Sequence, residues 1–429
     1  MTEKKIAVIG GGFTGLACAT QLAEKGMQVH LFERESFLGG LAAGFKKPEW
    51  EWNLEHFYHH WFKSDEYVQK FARKWNVEKS LFFTSPSTVM QTQNHGFVSL
   101  DSALALLRYP EIAFHNRVRM GISLAFLKAT KSWKGLEHTT AEKWCVRTMG
   151  EQGFNSIWKP LLLGKFGQKY ADQVNMAWLW ARISCRTPQL GYCQGGFSGY
   201  IAAAERHLRE QGVEIQHNCK NLSLQKTGAH WKVLGEGNGS LFDAVVVAAS
   251  PLALDALLSR PAAPAKPFLG AHVIVLSVKK PLGKHYWYSL RKSKNQPFLA
   301  LIEHTNFVDS KYYNGEHLIY LADYVDPQSE HWKRSDAELI EAAAISCALV
   351  RPDFSLSEVN QSWVFREAYA QPIPLVDESL KIPSVAVAGH ENLFHASMGH
   401  VYPWDRGTNF ALELGEKVAN RVENCWIKK

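Results

Sequence analysis

One stretch decides the fold: KIAVIGGGFTGLACATQLAEKGMQVHLFERESFLGG, residues 5–40. Lys5 to Gly10 is the short, uninterrupted apolar run of a parallel strand buried on both faces. Gly10, Gly12 and Gly15 follow in G-x-G-x-x-G spacing, and Phe13 and Thr14 open an apolar helix that runs through Leu22 and is ended by Gly26. A second strand, Gln28 to Phe32, delivers an acid at Glu33, roughly 20 residues after the glycines. Gly10 permits the tight turn, Gly12 lets backbone approach a pyrophosphate, and Gly15 lets helix and strand pack closely, so the free amides around Phe13 and Thr14 face an anion. Glu33 can then accept from ribose hydroxyls. A glycine-rich turn that binds nothing carries the same three glycines; the strand, helix, second strand and terminal acid in register favour a dinucleotide. An acid at the ribose position disfavours a 2′-phosphate, with Arg34 beside it as the opposing feature.

Past Glu33, the run RESFLGGL (Arg34 to Leu41) places a second glycine pair, Gly39 and Gly40, just after the acid. It resembles the E-x(5)-G-G segment of the FAD-dependent amine oxidase, protoporphyrinogen oxidase and phytoene desaturase superfamily. The resemblance implies FAD as cofactor, with this segment along its ribityl and pyrophosphate part. Leu41 stands where that superfamily commonly has an arginine. The implied fold is α/β: a Rossmann-like FAD/NAD(P)-binding domain of a GR2-type flavoprotein with an inserted α+β substrate domain. The FAD domain is then discontinuous (1–45, 190–265 and 380–429), and the substrate domain takes 46–189 and 266–379.

Composition bounds the rest. The 429 residues are 46% hydrophobic and 21% charged, enough for a large core and two or three domains. The formal charge of +7 is mildly basic, and no long Lys/Arg run supports nucleic-acid binding. Seven scattered cysteines without a C-x-x-C pair suggest free thiols in a reducing compartment, hence a cytoplasmic protein. The apolar run after Lys4 and Lys5 is explained by the glycine fingerprint rather than by a targeting peptide, and no apolar stretch reaches the roughly 18 residues of a membrane span.

Between the fingerprint and the C-terminus several stretches carry chemistry. WEWNLEHFYHHW (Trp50 to Trp61) holds His56, His59 and His60 among five aromatics. A metal site, a packed aromatic wall, or a wall beside a flavin ring are the three readings; no complementary Cys/His set supports metal, and the superfamily's layout puts His56 beside the ring. Leu100 to Lys134 interleaves apolar and basic residues, which reads either as a basic interfacial helix pair with peripheral membrane contact or as an ordinary helical part of the substrate domain. Glu142 to Trp180 continues in helices, with breaks expected at Pro160 and at Gly164 to Gly167, and Arg182 adds positive charge to a Trp-rich region. At Gly195 the order of glycine pair, helix, G-V-E-I, strand and D-A-V-V-V-A resembles the middle of the same superfamily. That implies adenine near the backbone of Asn221 and a flavin-side turn from Ala249 to Pro251. Lys266 to Pro374 reads as strands capped by a helix at Asp336 to Val350, with Arg366 and Tyr369 facing either a ligand cavity or solvent. Ser384 to Ala388 reads as the closing strand, followed by Gly389 and a terminal helix after Arg406, Gly407 and Thr408. By resemblance, Gly389, Gly407 and Thr408 line the flavin, where helix-end amides favour a reduced ring's negative charge.

The expected function is FAD-dependent oxidation or desaturation of a small or lipid-like organic substrate, with His56, Tyr402 and Trp404 shaping the site. UDP-galactopyranose mutases form a competing class. His56 to Val68 is similar to their G-P-H-I-F-H-T segment and Gly407-Thr408 to their terminal G-T-Y, although Asn409 replaces the tyrosine. In that reading Arg406 or Arg182 binds a diphosphate. A flavin-binding partner protein without catalysis is the third class.

Overall fold

The apolar run at the N-terminus forms β1 (Lys5–Ile9), whose Ile6, Ala7 and Val8 are fully buried at the middle of a parallel sheet. The structure, a computed structural model, describes residues 4–261, 266–404 and 407–427. α1 (Phe13–Glu24) leads to β2 (Gln28–Phe32), which pairs with β1 from Lys5 against Gln28 to Ile9 against Phe32. The chain then leaves this sheet through α2 (Glu66–Lys74), α3 (Ala103–Leu107), α4 (Phe114–Ala129) and α5 (Met176–Cys185). It returns with α6 (Phe197–Glu210), β3 (Glu214–Gln216) on the edge of β2, and the wholly buried β4 (Ala244–Val247) on the other side of β1. A second excursion contributes β5 (Phe268–Val278), β6 (His317–Val325), α7 (Asp336–Ala348) and β7 (Val359–Pro372). β8 (Leu393–His395) and α8 (Thr408–Ile427) close the chain, giving a parallel sheet in the order β3-β2-β1-β4-β8.

The second sheet has seven strands, with β7, β5 and β6 adjacent and antiparallel. Its period-two alternation divides it between two cores. Ala271, Val273, Val275, Tyr320 and Ala322 face the core shared with β1 and α1, whereas Ile274, Leu276, Ile319 and Leu321 pack with Leu339 and Ala343 of α7. A third core, built on Leu106, Met120, Leu127, Trp178 and Trp180, holds the helical layer.

Two expectations need correction here. Pro160 does not break the helical run, which starts at Glu151 and continues past it: the proline follows closely on a π-helical turn, Phe154–Trp158, where the i→i−4 ladder is already interrupted, and the chain departs from helical geometry at Gly167, φ 70°. Ser384 to Ala388 is not the closing parallel strand either. Ala386 bridges antiparallel to Phe394, and β8 is the run that pairs with β4, Val245 against Leu393 and Val247 against His395. Leu393 and Phe394 are buried by this pairing while Val385 to Val387 stay half-exposed, so the more completely coverable run takes the inner place. Gly389 therefore lies in the turn before β8, at the end of the sheet opposite Gly10.

Candidate functional site

At the carboxyl ends of β1 and β2 the glycine fingerprint closes on itself. Gly10 holds φ at 107°, and a Cβ on Gly15 would collide with the Gly10 carbonyl oxygen, so both positions admit only glycine. Gly12 is the N-cap of α1 and offers no side-chain cap, which leaves the first-turn amides, those of Phe13 and Thr14 among them, without intrahelical partners. Gly12 bridges to Gly39, and the Gly39 amide donates to the Gly11 carbonyl at 2.9 Å, so the two glycine pairs line one cradle. A Cβ on Gly12 would project over the Gly40 Cα, into that cradle. Glu33 is buried; its carboxylate accepts from the Gly11 amide at 2.7 Å and the Glu35 amide at 2.9 Å. Those two bonds fix the carboxylate and leave acceptor positions for a diol. Arg34 is exposed and donates to Glu35, away from the cradle, and Leu41 packs half-buried against the main core. The cradle fits a dinucleotide pyrophosphate: unpaired amides, no side chains in the way, and an acid held one strand away.

Asn221 does not line this cradle through its amide, which donates to Glu236 Oε2 at 3.0 Å, within the β-meander turn. Two residues earlier, the Cys219 amide donates to the Glu33 carbonyl at 2.9 Å, so Cys219 is the meander residue adjoining the acid.

Continuing from Gly40, the strands Gly44–Phe45 and Leu54–Glu55 pair and bring His56 onto the Phe45 ring, stacked at 5.6 Å, with Phe365 at 4.6 Å and Phe37 at 5.9 Å. Burial lowers the His56 pKa, keeping the ring neutral. His60 is pushed down to about 3 by burial and by the charges of Arg186, His59 and Arg182, and its Nδ1 meets the Tyr286 hydroxyl at 3.2 Å. Glu55 is fully buried, accepts from the Tyr192 hydroxyl at 2.6 Å and the Phe197 amide at 2.8 Å, and has its pKa raised to about 7 by desolvation.

The C-terminal elements tie into the histidine-rich stretch, α2 and the end of β4. Thr408 begins α8, and its Oγ1 accepts from Trp61 Nε1 at 2.7 Å, joining the helix start to the histidine-rich stretch. Gly407 precedes it, and Arg406 lies outside the described residues. Asn409 Oδ1 accepts from the amides of Tyr67 at 2.9 Å and Val68 at 3.2 Å, capping α2 from another element. Ala249 follows β4, and its carbonyl accepts from His395 Nε2 at 3.0 Å, which fixes the His395 tautomer. Tyr369 comes to the same place: its hydroxyl lies beside Ser397 and Gly399.

The remaining candidates are spread apart. Tyr402 donates to Glu137 Oε2 at 3.2 Å and accepts from Asn175 Nδ2 at 3.0 Å, and Trp404 stacks on Phe410 at 5.1 Å and leans on Trp180 at 5.5 Å. Both pack on the helical core, whereas His56 belongs to the aromatic group over the second sheet. Arg182 lies over the Trp178 ring at 5.2 Å. Arg366 does not face the His56 side: strand alternation turns it toward α7, where it pairs with Asp336 at 2.7 Å and donates to the Arg334 carbonyl at 2.9 Å. Its neighbour Phe365 is the residue that reaches His56. Sequence reasoning passed over Glu55, Trp61, His395 and Ser397. A signal existed for the last two, since Phe394-His395-Ala396-Ser397 repeats the strand-then-Ala-Ser ending of Val247 to Ser250.

A family model described as flavin containing amine oxidoreductase matches residues 13–423. Among curated proteins, a zeta-carotene desaturase of Synechocystis sp. (strain ATCC 27184 / PCC 6803 / Kazusa) is 20% identical over 258 residues, 54% of this chain and 53% of that protein. A 4,4'-diapophytoene desaturase of Staphylococcus haemolyticus (strain JCSC1435) is 47% identical over 49 residues, 11% of this chain and 10% of that one, so the chain spans about half or less of these relatives' lengths. Among solved structures, a reduced UDP-galactopyranose mutase superposes with TM-score 0.74 at 17% identity, covering 98% of this chain and 96% of the other. Cyclohexylamine oxidase from Brevibacterium oxydans IH-35A gives TM-score 0.72 at 12% identity, covering 98% and 99%. These likenesses establish a shared fold. With the family model spanning nearly the whole sequence, the chain belongs to the flavin-containing amine oxidoreductase family, and its cofactor is FAD.

Proposed function

We propose that this protein oxidises or desaturates a small or lipid-like organic substrate, with FAD taking the hydride. The observation that carries the reading is the apolar aromatic wall leading from the second glycine pair: His56 held among Phe37, Phe45 and Phe365, with His56 and His60 kept uncharged by burial. Such a wall desolvates an uncharged substrate at little cost and repels a nucleotide sugar. The similarity to carotenoid desaturases points the same way. In this reading Gly10, Gly12, Phe13, Thr14 and Gly15 hold the pyrophosphate, Glu33 the ribose, Gly39 and Gly40 the ribityl chain, and Gly407 and Thr408 the pyrimidine edge. Bound FAD supplies the two-electron acceptor; the chain's own residues orient the substrate and exclude water. Tyr369, Ser397 and His395, gathered at the end of β8, are added to the set, and His56 is the residue assigned to the substrate side.

The mutase reading keeps one supporting observation, the pair of arginines, Arg182 and Arg186, near His60. Against it stands Asn409, which is committed to capping α2. Acceptor stoichiometry separates the two. Oxidised protein mixed anaerobically with polyprenes, porphyrinogens or hydrophobic amines should lose its flavin absorbance with one of these classes and recover it with one acceptor per turnover. Isomerisation of a UDP-sugar by the pre-reduced protein, with no acceptor consumed, overturns the proposal.

A further inference from the structure

The helical layer leaves one of its helices apolar on both sides. α4 buries Met120, Ser123 and Leu127 against the helical core, and Trp180 Nε1 donates to the Leu127 carbonyl at 3.0 Å. On the opposite side Phe114, Val118, Ile122 and Phe126 recur every four residues and stand open to solvent, at 64%, 38%, 67% and 57% exposure. α3, which packs against α4, adds Leu104 at 53% and Leu107 at 40%. Of the thirteen large hydrophobic residues exposed among those described, six fall on these two short helices, and a concentrated apolar surface of this kind marks an interaction site.

What covers it is indicated by charge. Between Leu100 and Lys134 the chain carries Arg108, Arg117, Arg119, Lys128, Lys131 and Lys134 against only Asp101 and Glu111. Arg117 and Arg119 brace the helices, the first on the Leu107 carbonyl and the second on the carbonyls of Arg147 and Thr148. Glu111 accepts from the Asn94 amide at 2.8 Å, so one of the two acids is internally engaged. Arg108, Lys131 and Lys134 stay exposed at the margins, and Lys128 donates to the Arg186 carbonyl at 2.9 Å while remaining exposed. Phenylalanine and isoleucine at the centre with cations at the rim match the layering of an anionic bilayer, apolar chains beneath phosphate. We infer that α3 and α4 form a docking face for the surface of an anionic lipid membrane, the apolar stripe entering the headgroup and acyl boundary and the flanking cations resting on phosphates. No described helix is long and apolar enough to cross a membrane, so this contact is peripheral.

The proposal goes beyond the redox reading and does not rest on it, because binding is measured without turnover. FAD-loaded protein is sedimented with vesicles of phosphatidylcholine, with and without phosphatidylglycerol. The expected result is binding to the anionic vesicles that weakens as salt rises, the charge attraction being screened over about 10 Å at 0.1 M. Replacing the exposed pair with Ile122→Glu and Phe126→Glu should cut binding on the order of tenfold or more while flavin content and Tm stay at parental values, since neither side chain is in the core. Arg108→Glu with Lys131→Glu should remove the preference for anionic over neutral vesicles. Absence of binding at low salt, or binding unchanged by the Ile122 and Phe126 substitutions, overturns the inference. A concentration-dependent dimer in analytical ultracentrifugation that those substitutions abolish, with no vesicle binding, overturns it in favour of a second copy of this chain.

Discussion

Glu55 shows how a single buried residue ties the histidine-rich stretch to the rest of the protein, and its chemistry is open to a direct test. Its carboxyl receives the Phe197 amide at the start of α6 and the Tyr192 hydroxyl, and its carbonyl receives the Tyr320 hydroxyl at 2.7 Å, so the residue before His56 is held from three directions. Burial raises its pKa from 4.5 to about 7. A carboxyl that binds its proton more tightly when folded contributes stability fully below the unfolded pKa and loses it as pH rises through the folded value. The window here runs from about pH 4.5 to pH 7, and at 1.36 kcal/mol per unit the loss is on the order of 3 kcal/mol. Glu55→Gln keeps the shape, since an amide oxygen accepts from Phe197 and an amide NH2 donates to Tyr192, but it does not titrate. Unfolding free energies measured between pH 5 and pH 8 should therefore fall more steeply for the parent than for the variant. Parallel curves would mean that Glu55 remains ionised throughout.

At the scale of elements, local pattern and long-range pairing divide what the sequence reveals. β1, α1 and β2 were legible because their constraints are local: Gly15 must clear the Gly10 carbonyl five residues away, and Glu33 ends the strand beside it. β8 was not. Val385 to Val387 and Leu393 to His395 are both short apolar runs, and only the contact with β4, more than a hundred residues earlier, decides which enters the sheet. The same holds for Arg366, since strand alternation limits it to one of two faces but does not say which face meets α7. Asn409 is a further case, a cap reached only through tertiary structure. α2 has Asp65 at its N-cap position, yet that side chain makes no capping bond, and Asn409 of α8 takes the amides of Tyr67 and Val68 instead. Asn409→Ala should cost about 0.5–2 kcal/mol in urea unfolding, the range for loss of an N-cap, whereas Asn409→Asp, which keeps the acceptor and adds a favourable charge at the helix start, should match the parent. Equal midpoints for parent and Asn409→Ala would show that water satisfies those amides as well as Asn409 does.

Across the whole molecule, the cofactor cradle exists only where the chain's distant parts meet. Of the residues assigned to it, Gly10 to Gly15, Glu33, Gly39 and Gly40 come from one end, Ala249 from the middle, and His395, Ser397 and Thr408 from the other end, tied in by the bonds from His395 to Ala249 and from Trp61 to Thr408. An unfolded chain has no such site, so ligand binding must stabilise the folded state by mass action: about 2.7 kcal/mol when free FAD stands at 100 times its Kd. Stripping the flavin should lower Tm, and adding FAD back should raise it in a concentration-dependent way. FMN, which lacks the adenosine ribose that Glu33 is assigned to hold, should raise it less. Glu33→Ala sharpens the test, because charge-assisted hydrogen bonds of roughly 1.5–3 kcal/mol correspond to about a 10- to 150-fold weaker affinity. The FAD concentration needed for a given rise in Tm should shift by that factor in the variant, while the response to FMN stays where it was. A variant that responds to FAD as the parent does would separate Glu33 from the ribose and leave it with the role its geometry already shows, holding the Gly11 and Glu35 amides.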